Sequence, residues 1–231
     1  MNSIMYLRFL IFIFIISIFT TTTNAFIYDR IVVVHQWSPA LCRSSSCSLN
    51  PLPMFTLHGV WTGLLIPNKP PPTNCVSGYF GKVYDENVCK MKERELTRIW
   101  IDFQHGDDNE FWKAQWDMHG SCFYENFNQE AYFQMAIDLY QEVDLVRVLM
   151  SQNIDPIYEQ DFELEDLKNK LRDALGGVRV QIRCTTPTDQ NDRPLPNEIE
   201  EIRVCYDPVG NQRVDCEDPD IGCGKIVKWF I

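Results

Sequence analysis

The chain has 231 residues, of which 45% are hydrophobic and 23% are charged. This length and composition suffice for one domain with a sizeable core, and they exclude a disordered or low-complexity chain. The net charge is −11, from 21 basic and 32 acidic residues, which excludes a polybasic protein that binds nucleic acid through an excess of lysine and arginine. An enzyme that contacts nucleic acid through one small site remains compatible with this charge.

The first 25 residues have the pattern of a secretory signal peptide. Residues 9–19 are apolar except for one serine, Arg8 precedes them, and small polar residues follow up to Ala25. A membrane anchor is the alternative, but the apolar run is much shorter than the roughly 20 residues that a membrane-spanning helix needs. We therefore expect cleavage after Ala25. Residues 26–231 are expected to form one soluble domain without a membrane partner, secreted to the extracellular space or delivered to the vacuole.

The hydrophobic pattern predicts strands at both ends of this domain and helices in its middle. The predicted strands cover residues 31–37, 55–61, 178–183, 199–205 and 226–231. The predicted helices cover residues 93–103, 110–119, 129–150 and 164–175. The proline-rich residues 67–72 are expected to be an irregular loop, since proline cannot donate a backbone hydrogen bond. This order predicts a single α+β domain with a mostly antiparallel sheet and several packed helices.

Nine cysteines lie after the predicted signal peptide, and in an exported protein this number predicts disulfide bonds. The number is odd, so one cysteine is free or pairs with another chain. No two cysteines have the C-x-x-C spacing and the four histidines do not cluster with them, so no structural zinc site is predicted.

Two histidines stand out because each is followed by glycine and lies near tryptophan: His58 and His119. Strand alternation places His58 on the face of Thr56 and Val60, and Trp61 on the opposite face. A lone histidine on a strand is usually a core residue, and a lone histidine at a helix end is usually a surface residue. Considered together, the two form a candidate acid–base pair.

The other two histidines are interpreted without a chemical role. His35 lies within an apolar, β-branched strand and is expected to be structural. His105 lies beside Asp107 and Asp108 in a predicted loop and is expected to be solvated surface.

Two imidazoles suit the cleavage of RNA, which carries its own nucleophile, the 2′-hydroxyl. A neutral histidine can remove the 2′-hydroxyl proton while a protonated histidine donates to the leaving 5′-oxygen. This chemistry requires neither a metal ion nor a cofactor.

Both segments resemble the active-site motifs of the ribonuclease T2 family of secreted acid endoribonucleases. Residues 55–61 read F-T-L-H-G-V-W, against F-T-I-H-G-L-W-P in the family. Residues 111–122 read F-W-K-A-Q-W-D-M-H-G-S-C, against F-W-x-H-E-W-x-K-H-G-T-C. The likeness extends to residues 36–42, 202–207 and 214–216, and the sequence before and within the first motif is most similar to the plant S-RNases.

The resemblance implies roles for individual residues. His119 matches the general base and His58 the general acid, acting through a 2′,3′-cyclic phosphate. Gln36 and Phe111 match nucleobase contacts, and Trp61 matches a tryptophan beside the first histidine. The disulfides that the resemblance implies are Cys42–Cys47, Cys75–Cys122, Cys184–Cys223 and Cys205–Cys216. Cys89 is then unpaired, which leaves a monomer or a disulfide-linked dimer through Cys89 open.

Three positions of the second motif depart from the family. Ala114 replaces a histidine, Gln115 a glutamate and Met118 a lysine. Loss of one electrostatic contact to a transition state commonly costs about 10²–10³ in rate. Gln115 takes the place of the glutamate in the catalytic set, with His58 and His119, that the resemblance implies; it can donate a hydrogen bond but cannot transfer a proton.

The sequence therefore predicts a secreted, metal-independent endoribonuclease that cleaves single-stranded RNA, not DNA, with reduced activity. The alternative is a catalytically impaired family member that serves in defence, storage or self-incompatibility-type recognition.

Overall fold

A computed structural model describes residues 26–66, 69–76, 82–157 and 160–231. The predicted signal peptide, residues 1–25, lies outside the described residues, as does part of the proline-rich segment, residues 67–68. The strands are β1 (Arg30–Trp37), β2 (Phe55–Gly63), β3 (Phe162–Glu163), β4 (Gln181–Thr185), β5 (Glu198–Tyr206), β6 (Arg213–Val214) and β7 (Ile226–Val227). The helices are α1 (Ser38–Ser44), α2 (Glu86–Lys90), α3 (Glu93–Ile99), α4 (Asp108–Met118), α5 (Gln129–Glu142), α6 (Leu145–Ser151) and α7 (Leu164–Ala174), with a 3₁₀ turn at Gly120–Phe123.

The main sheet is antiparallel and has the strand order β2-β1-β5-β4, with β6 also paired to β5. Strands β3 and β7 form a separate two-stranded ribbon. The central strands β1 and β5 are buried along their whole length. The α+β single-domain fold expected from the sequence is therefore the observed fold.

The larger core lies between the sheet and the helices. Its fully buried aromatic side chains come from both layers and include Trp37, Trp100, Trp116, Tyr132 and Phe133. A smaller apolar cluster on the opposite face contains Val32, Val34 and the Cys205–Cys216 disulfide. Burial of each large side chain stabilises the fold by about 1.5–3 kcal/mol.

A β-bulge in β2 changes the face on which His58 lies. Val34 pairs with Gly59 and His35 pairs with Leu57, so that His58 is the additional residue on β2. Leu57 and Val60 consequently both enter the larger core, although they are three residues apart. The predicted common face for His58 and Val60 is therefore wrong. The bulge places His58 beside Trp61, on the other side of the sheet.

Three predicted elements are shorter than the hydrophobic pattern suggested. The helix predicted over residues 93–103 ends at Ile99. The helix predicted over residues 129–150 is two helices, because Val143 adopts an extended conformation and the Asp144 side chain caps α6 by accepting a hydrogen bond from the Arg147 amide. The strand predicted over residues 226–231 is a strand only at Ile226–Val227. Lys228 adds an isolated bridge to Glu198, Trp229 and Phe230 are buried, and Ile231 is exposed. Helices α1 and α2 were not predicted.

Four disulfides join the pairs that the family resemblance implies: Cys42–Cys47, Cys75–Cys122, Cys184–Cys223 and Cys205–Cys216. Cys89 is unpaired and 1% exposed, and it packs in the larger core beside Tyr84 and Gln129. A disulfide to a second chain through Cys89 does not fit this burial, because the thiol cannot be reached without opening the core.

Within the described ranges, no helix is both long enough and apolar enough to cross a membrane. The same ranges contain no group of three or more histidine, cysteine, aspartate or glutamate side chains arranged to hold a metal ion.

Candidate active site

His58 is held from both its side chain and its backbone. Its ring Nδ1 lies 2.7 Å from Oε1 of Glu201, and its carbonyl oxygen accepts a 2.9 Å hydrogen bond from Nε1 of the buried Trp100. Because a carboxylate can only accept, the proton is on Nδ1 and Nε2 is left for a ligand. The carboxylate in this position also fixes the orientation of the imidazole ring.

Glu201 belongs to a buried charged pair on β5. Arg203 lies two residues further along the strand and therefore projects from the same face. Its Nε and Nη2 atoms donate to Oε2 of Glu201 at 3.0 and 2.7 Å, and its Nη1 donates to Oε1 of Gln181 at 3.0 Å. Burial alone would raise the pKa of Glu201, but the hydrogen bond and charge of His58 and the guanidinium of Arg203 hold this pKa well below its usual range.

His119 lies at the carboxyl end of α4, which ends at Met118, one residue earlier than the predicted helix. The following Gly120 lets the chain pass close to Trp116 and Tyr132, where a Cβ atom would be within 3 Å of both rings. The Cys75–Cys122 disulfide then fixes this end of the helix to the loop after β2. Burial, followed by the charges of His58 and Arg203, lowers the pKa of His119 to about 4. His119 is therefore neutral above this pH.

The indole of Trp61 contacts the rings of both His58 and His119. His119 stacks on it with ring centroids 4.7 Å apart, and His58 meets it edge-on at 5.2 Å. The indole Nε1 donates a 2.9 Å hydrogen bond to Oε1 of Gln115, which identifies the acceptor as the amide oxygen. The hydrogen bond between Trp61 and Gln115 requires glycine at position 59, because a Cβ atom there would overlap both side chains.

Two cavities flank this group of side chains. Gln36, His58 and Phe111 line one cavity of about 300 Å³, and the Phe111 ring stacks on His58 with centroids 5.9 Å apart. Trp61 and Arg203 line the other, of about 340 Å³. The structure thus brings His58, Gln36 and Phe111 to one cavity, and places Trp61 between His58 and the second cavity.

The three residues that depart from the family motif, Ala114, Gln115 and Met118, are uncharged. Ala114 is exposed on α4, and Met118 is 43% exposed at its last residue. Of the three departures, only Gln115 contacts the group, through Trp61.

The remaining histidines lie away from the pair. His35 is fully buried and stacks on Tyr140 with centroids 5.4 Å apart. The side chain of His105 is 80% exposed, with its Nδ1 3.4 Å from Asp102. These positions agree with the structural and surface interpretations drawn from the sequence.

The sequence reasoning missed Glu201 and Arg203. A signal was present, because β5 reads E-I-E-E-I-R-V-C-Y, with opposite charges two residues apart at Glu201 and Arg203. Buried charges are rarely tolerated without a partner, so this pattern indicates a polar site on that face of the sheet.

Comparisons with known proteins agree with one another. The family model described as the ribonuclease T2 family matches residues 28–216. Ribonuclease S-3 of Pyrus pyrifolia is 27% identical, over 91% of this chain and 90% of that protein. Extracellular ribonuclease LE of Solanum lycopersicum is 26% identical, over 96% and 95%. The structure of ribonuclease MC1 from bitter gourd seeds superposes with a TM-score of 0.74 at 26% identity, over 87% of this chain and all of that one. A mutant of RNase MC1 has been solved in complex with 5′-GMP.

Proposed function

The chain belongs to the ribonuclease T2 family, and from this membership and the paired histidines we propose that it cleaves single-stranded RNA with His119 as general base and His58 as general acid. The observation that supports this assignment best is the unequal environment of the two imidazoles. One is bonded to a buried carboxylate, while the other stacks on an indole and has no carboxylate hydrogen-bonded to it within the described ranges.

In the proposed reaction, neutral His119 removes the proton from the 2′-hydroxyl. The 2′-oxygen attacks phosphorus, the bond from phosphorus to the 5′-oxygen breaks, and His58 gives its proton to that oxygen. The products are a 2′,3′-cyclic phosphate and a new 5′-hydroxyl, and water can later open the cyclic phosphate. The lowered pKa of His119, about 4, leaves it unprotonated and able to act as a base in mildly acidic solution.

The substrate is proposed to lie across the two cavities that flank Trp61. The nucleoside on one side of the scissile phosphate would enter the cavity of Gln36 and Phe111, where an aromatic ring can stack on a base. The complex of RNase MC1 with 5′-GMP supports a nucleotide as the ligand of this fold. The 2′-hydroxyl requirement excludes DNA as a substrate.

We propose a lower rate than that of a site with the complete family motif, because Ala114 and Met118 supply no charge to the phosphate. The same two residues favour the second candidate function, a family member with little catalysis that acts in defence, storage or recognition. Ribonuclease S-3 is among the relatives of this chain. The net charge of −11 repels a polyanion such as RNA.

Secretion is part of the proposal. The signal-peptide pattern before residue 26, four disulfides and the name of the tomato relative, extracellular ribonuclease LE, support it.

The test is an assay of the purified protein on single-stranded RNA homopolymers across pH, beside His58→Ala and His119→Ala. Both variants should fold and should lose essentially all cleavage, and the wild type should release cyclic phosphate ends. A folded His119→Ala variant that keeps most of the activity would refute the acid–base assignment. An inactive wild type would favour the second candidate.

A further inference from the structure

We propose that the buried Glu201–Arg203 pair of β5 assigns the two histidines their opposite roles, holding His58 as the proton donor and His119 as the proton acceptor. The inference rests on the proposed ribonuclease function. Both members of the pair act through a histidine, so they are positioning residues and not catalytic residues.

The Glu201 carboxylate uses its two oxygens for different partners. Oε1 faces Nδ1 of His58, and Oε2 accepts both hydrogen bonds from the Arg203 guanidinium. Glu201 is 0% exposed, and such a buried carboxylate is stable as an anion only because these partners surround it. The guanidinium therefore keeps Glu201 charged, and the charged carboxylate holds His58 in one tautomer with Nε2 directed away from β5.

Arg203 also acts on the second histidine. Its Cζ atom lies 4.9 Å from the centroid of the Trp61 ring, on which His119 stacks at 4.7 Å. A fixed positive charge against this indole opposes a second positive charge on His119, in addition to the larger effect of burial. The carboxylate of the pair thus holds the ring of one histidine, and its guanidinium disfavours a proton on the other.

The other charged groups near His58 are engaged with each other. Arg183 of β4 lies 3.7 Å from Glu200, and His105 lies 3.4 Å from Asp102, in the loop before α4. All four line the same cavity as His58, but only Glu201 is hydrogen-bonded to its ring.

The first test is Glu201→Gln, which retains the size and an oxygen acceptor but removes the charge. With a dinucleoside monophosphate as substrate, we expect kcat to fall about 10- to 100-fold, the range seen when a supporting partner of a functional histidine is removed. KM should change little. The shape of the pH–rate profile should change as well, because the ring of His58 loses the carboxylate that holds it.

The second test is Arg203→Gln, which acts on the other histidine, His119. Loss of the guanidinium should raise the pKa of His119, so the acidic side of the profile moves to higher pH. The same rise should be visible by NMR titration of His119 in the free protein, a measurement that needs no activity. Arg203→Lys retains the charge and should restore most of the wild-type titration.

The matched control is Glu198→Gln, because Glu198 lies on the same strand, is 2% exposed and pairs with Arg43 at 2.8 Å. It should cost comparable stability without moving either side of the pH profile. Should Glu201→Gln fail to fold, Glu201→Asp replaces it: this variant retains the charge but withdraws the oxygen from Nδ1, so kcat should fall.

The outcomes separate this inference from the proposed function. An active wild type whose pH profile is unchanged in the Glu201 and Arg203 variants would overturn the inference alone. An inactive wild type would overturn the proposed function, and the His119 titration in Arg203→Gln would still decide whether the pair controls that histidine. An unchanged titration would overturn the inference.

Discussion

His35 provides a quantitative test of how burial controls stability. Its ring is fully buried under Tyr140, and neither ring nitrogen has a hydrogen-bond partner among the described residues. Burial lowers the pKa of His35 from 6.5 to about 3. We consider His35→Phe, which keeps an aromatic ring against Tyr140. The cavity of about 770 Å³ that adjoins His35 gives room for the larger ring.

The sign of the effect follows from proton binding. The unfolded chain takes up a proton at His35 below about pH 6.5, whereas the folded chain does so only near pH 3. Stability is therefore complete above pH 6.5 and is lost as the pH falls towards 3. At 1.36 kcal/mol per pH unit, the loss between pH 7 and pH 4 is about 3 kcal/mol from this residue. His35→Phe should not show this part of the decrease in the free energy of unfolding. At pH 7 it should be at least as stable, since an unpaired buried polar group costs about 1–3 kcal/mol.

The measurement is urea unfolding, followed by circular dichroism, at pH 7 and pH 4. His105→Gln is the control, because it removes an exposed imidazole and should leave the wild-type difference between the two pH values in place. If His35→Phe loses as much stability between pH 7 and pH 4 as the wild type does, the reasoning is refuted.

Three further predictions concern other parts of the molecule. Met118→Lys should raise RNA cleavage about 10- to 100-fold, or roughly 1.4–2.7 kcal/mol, and the gain should persist at high salt if it is local; an unchanged rate at every ionic strength would contradict it. The Cys89 thiol, whose pKa burial raises to about 11, should not react with a thiol reagent in the folded protein and should give one thiol per chain in urea. Gly59→Ala should disrupt the Trp61–Gln115 contact and lower kcat about tenfold while the chain still folds, which paired activity and unfolding measurements would show.

The elements that could be predicted from the sequence are those whose pattern is local. The apolar, β-branched residues of β1 and the periodic pattern of α7 carry their own signal, and both elements were placed within a residue or two. The break at Val143 was not visible, because its apolar side chain continues the helical pattern while its backbone leaves the helix. Strand β7 was overestimated because Trp229 and Phe230 are apolar residues that are buried without belonging to a strand.

For the active-site region, the sequence identified the histidines but not their environment. The bulge at His58 depends on the register between β1 and β2, which a single strand does not encode. The contact between His58 and Glu201 joins residues 143 positions apart, so no local pattern could reveal it. The family resemblance supplied the disulfide pairs, which spacing alone leaves undetermined.

The burial of Cys89 has a consequence for how the protein is made. Cys89 lies between Cys75 and Cys122 in the sequence, so it is synthesised before the correct partner of Cys75. The native loop closes over a separation of 47 residues, whereas the loop from Cys75 to Cys89 is much shorter, and its closure is favoured by about 1 kcal/mol of chain entropy. In an oxidising compartment Cys75 therefore has an entropic preference for Cys89, and a chain with that pairing would have to be reshuffled before helix α2 could enter the core. The Cys89 thiol is thus unreactive in the folded protein, where the core buries it, but it can form a non-native disulfide before folding is complete.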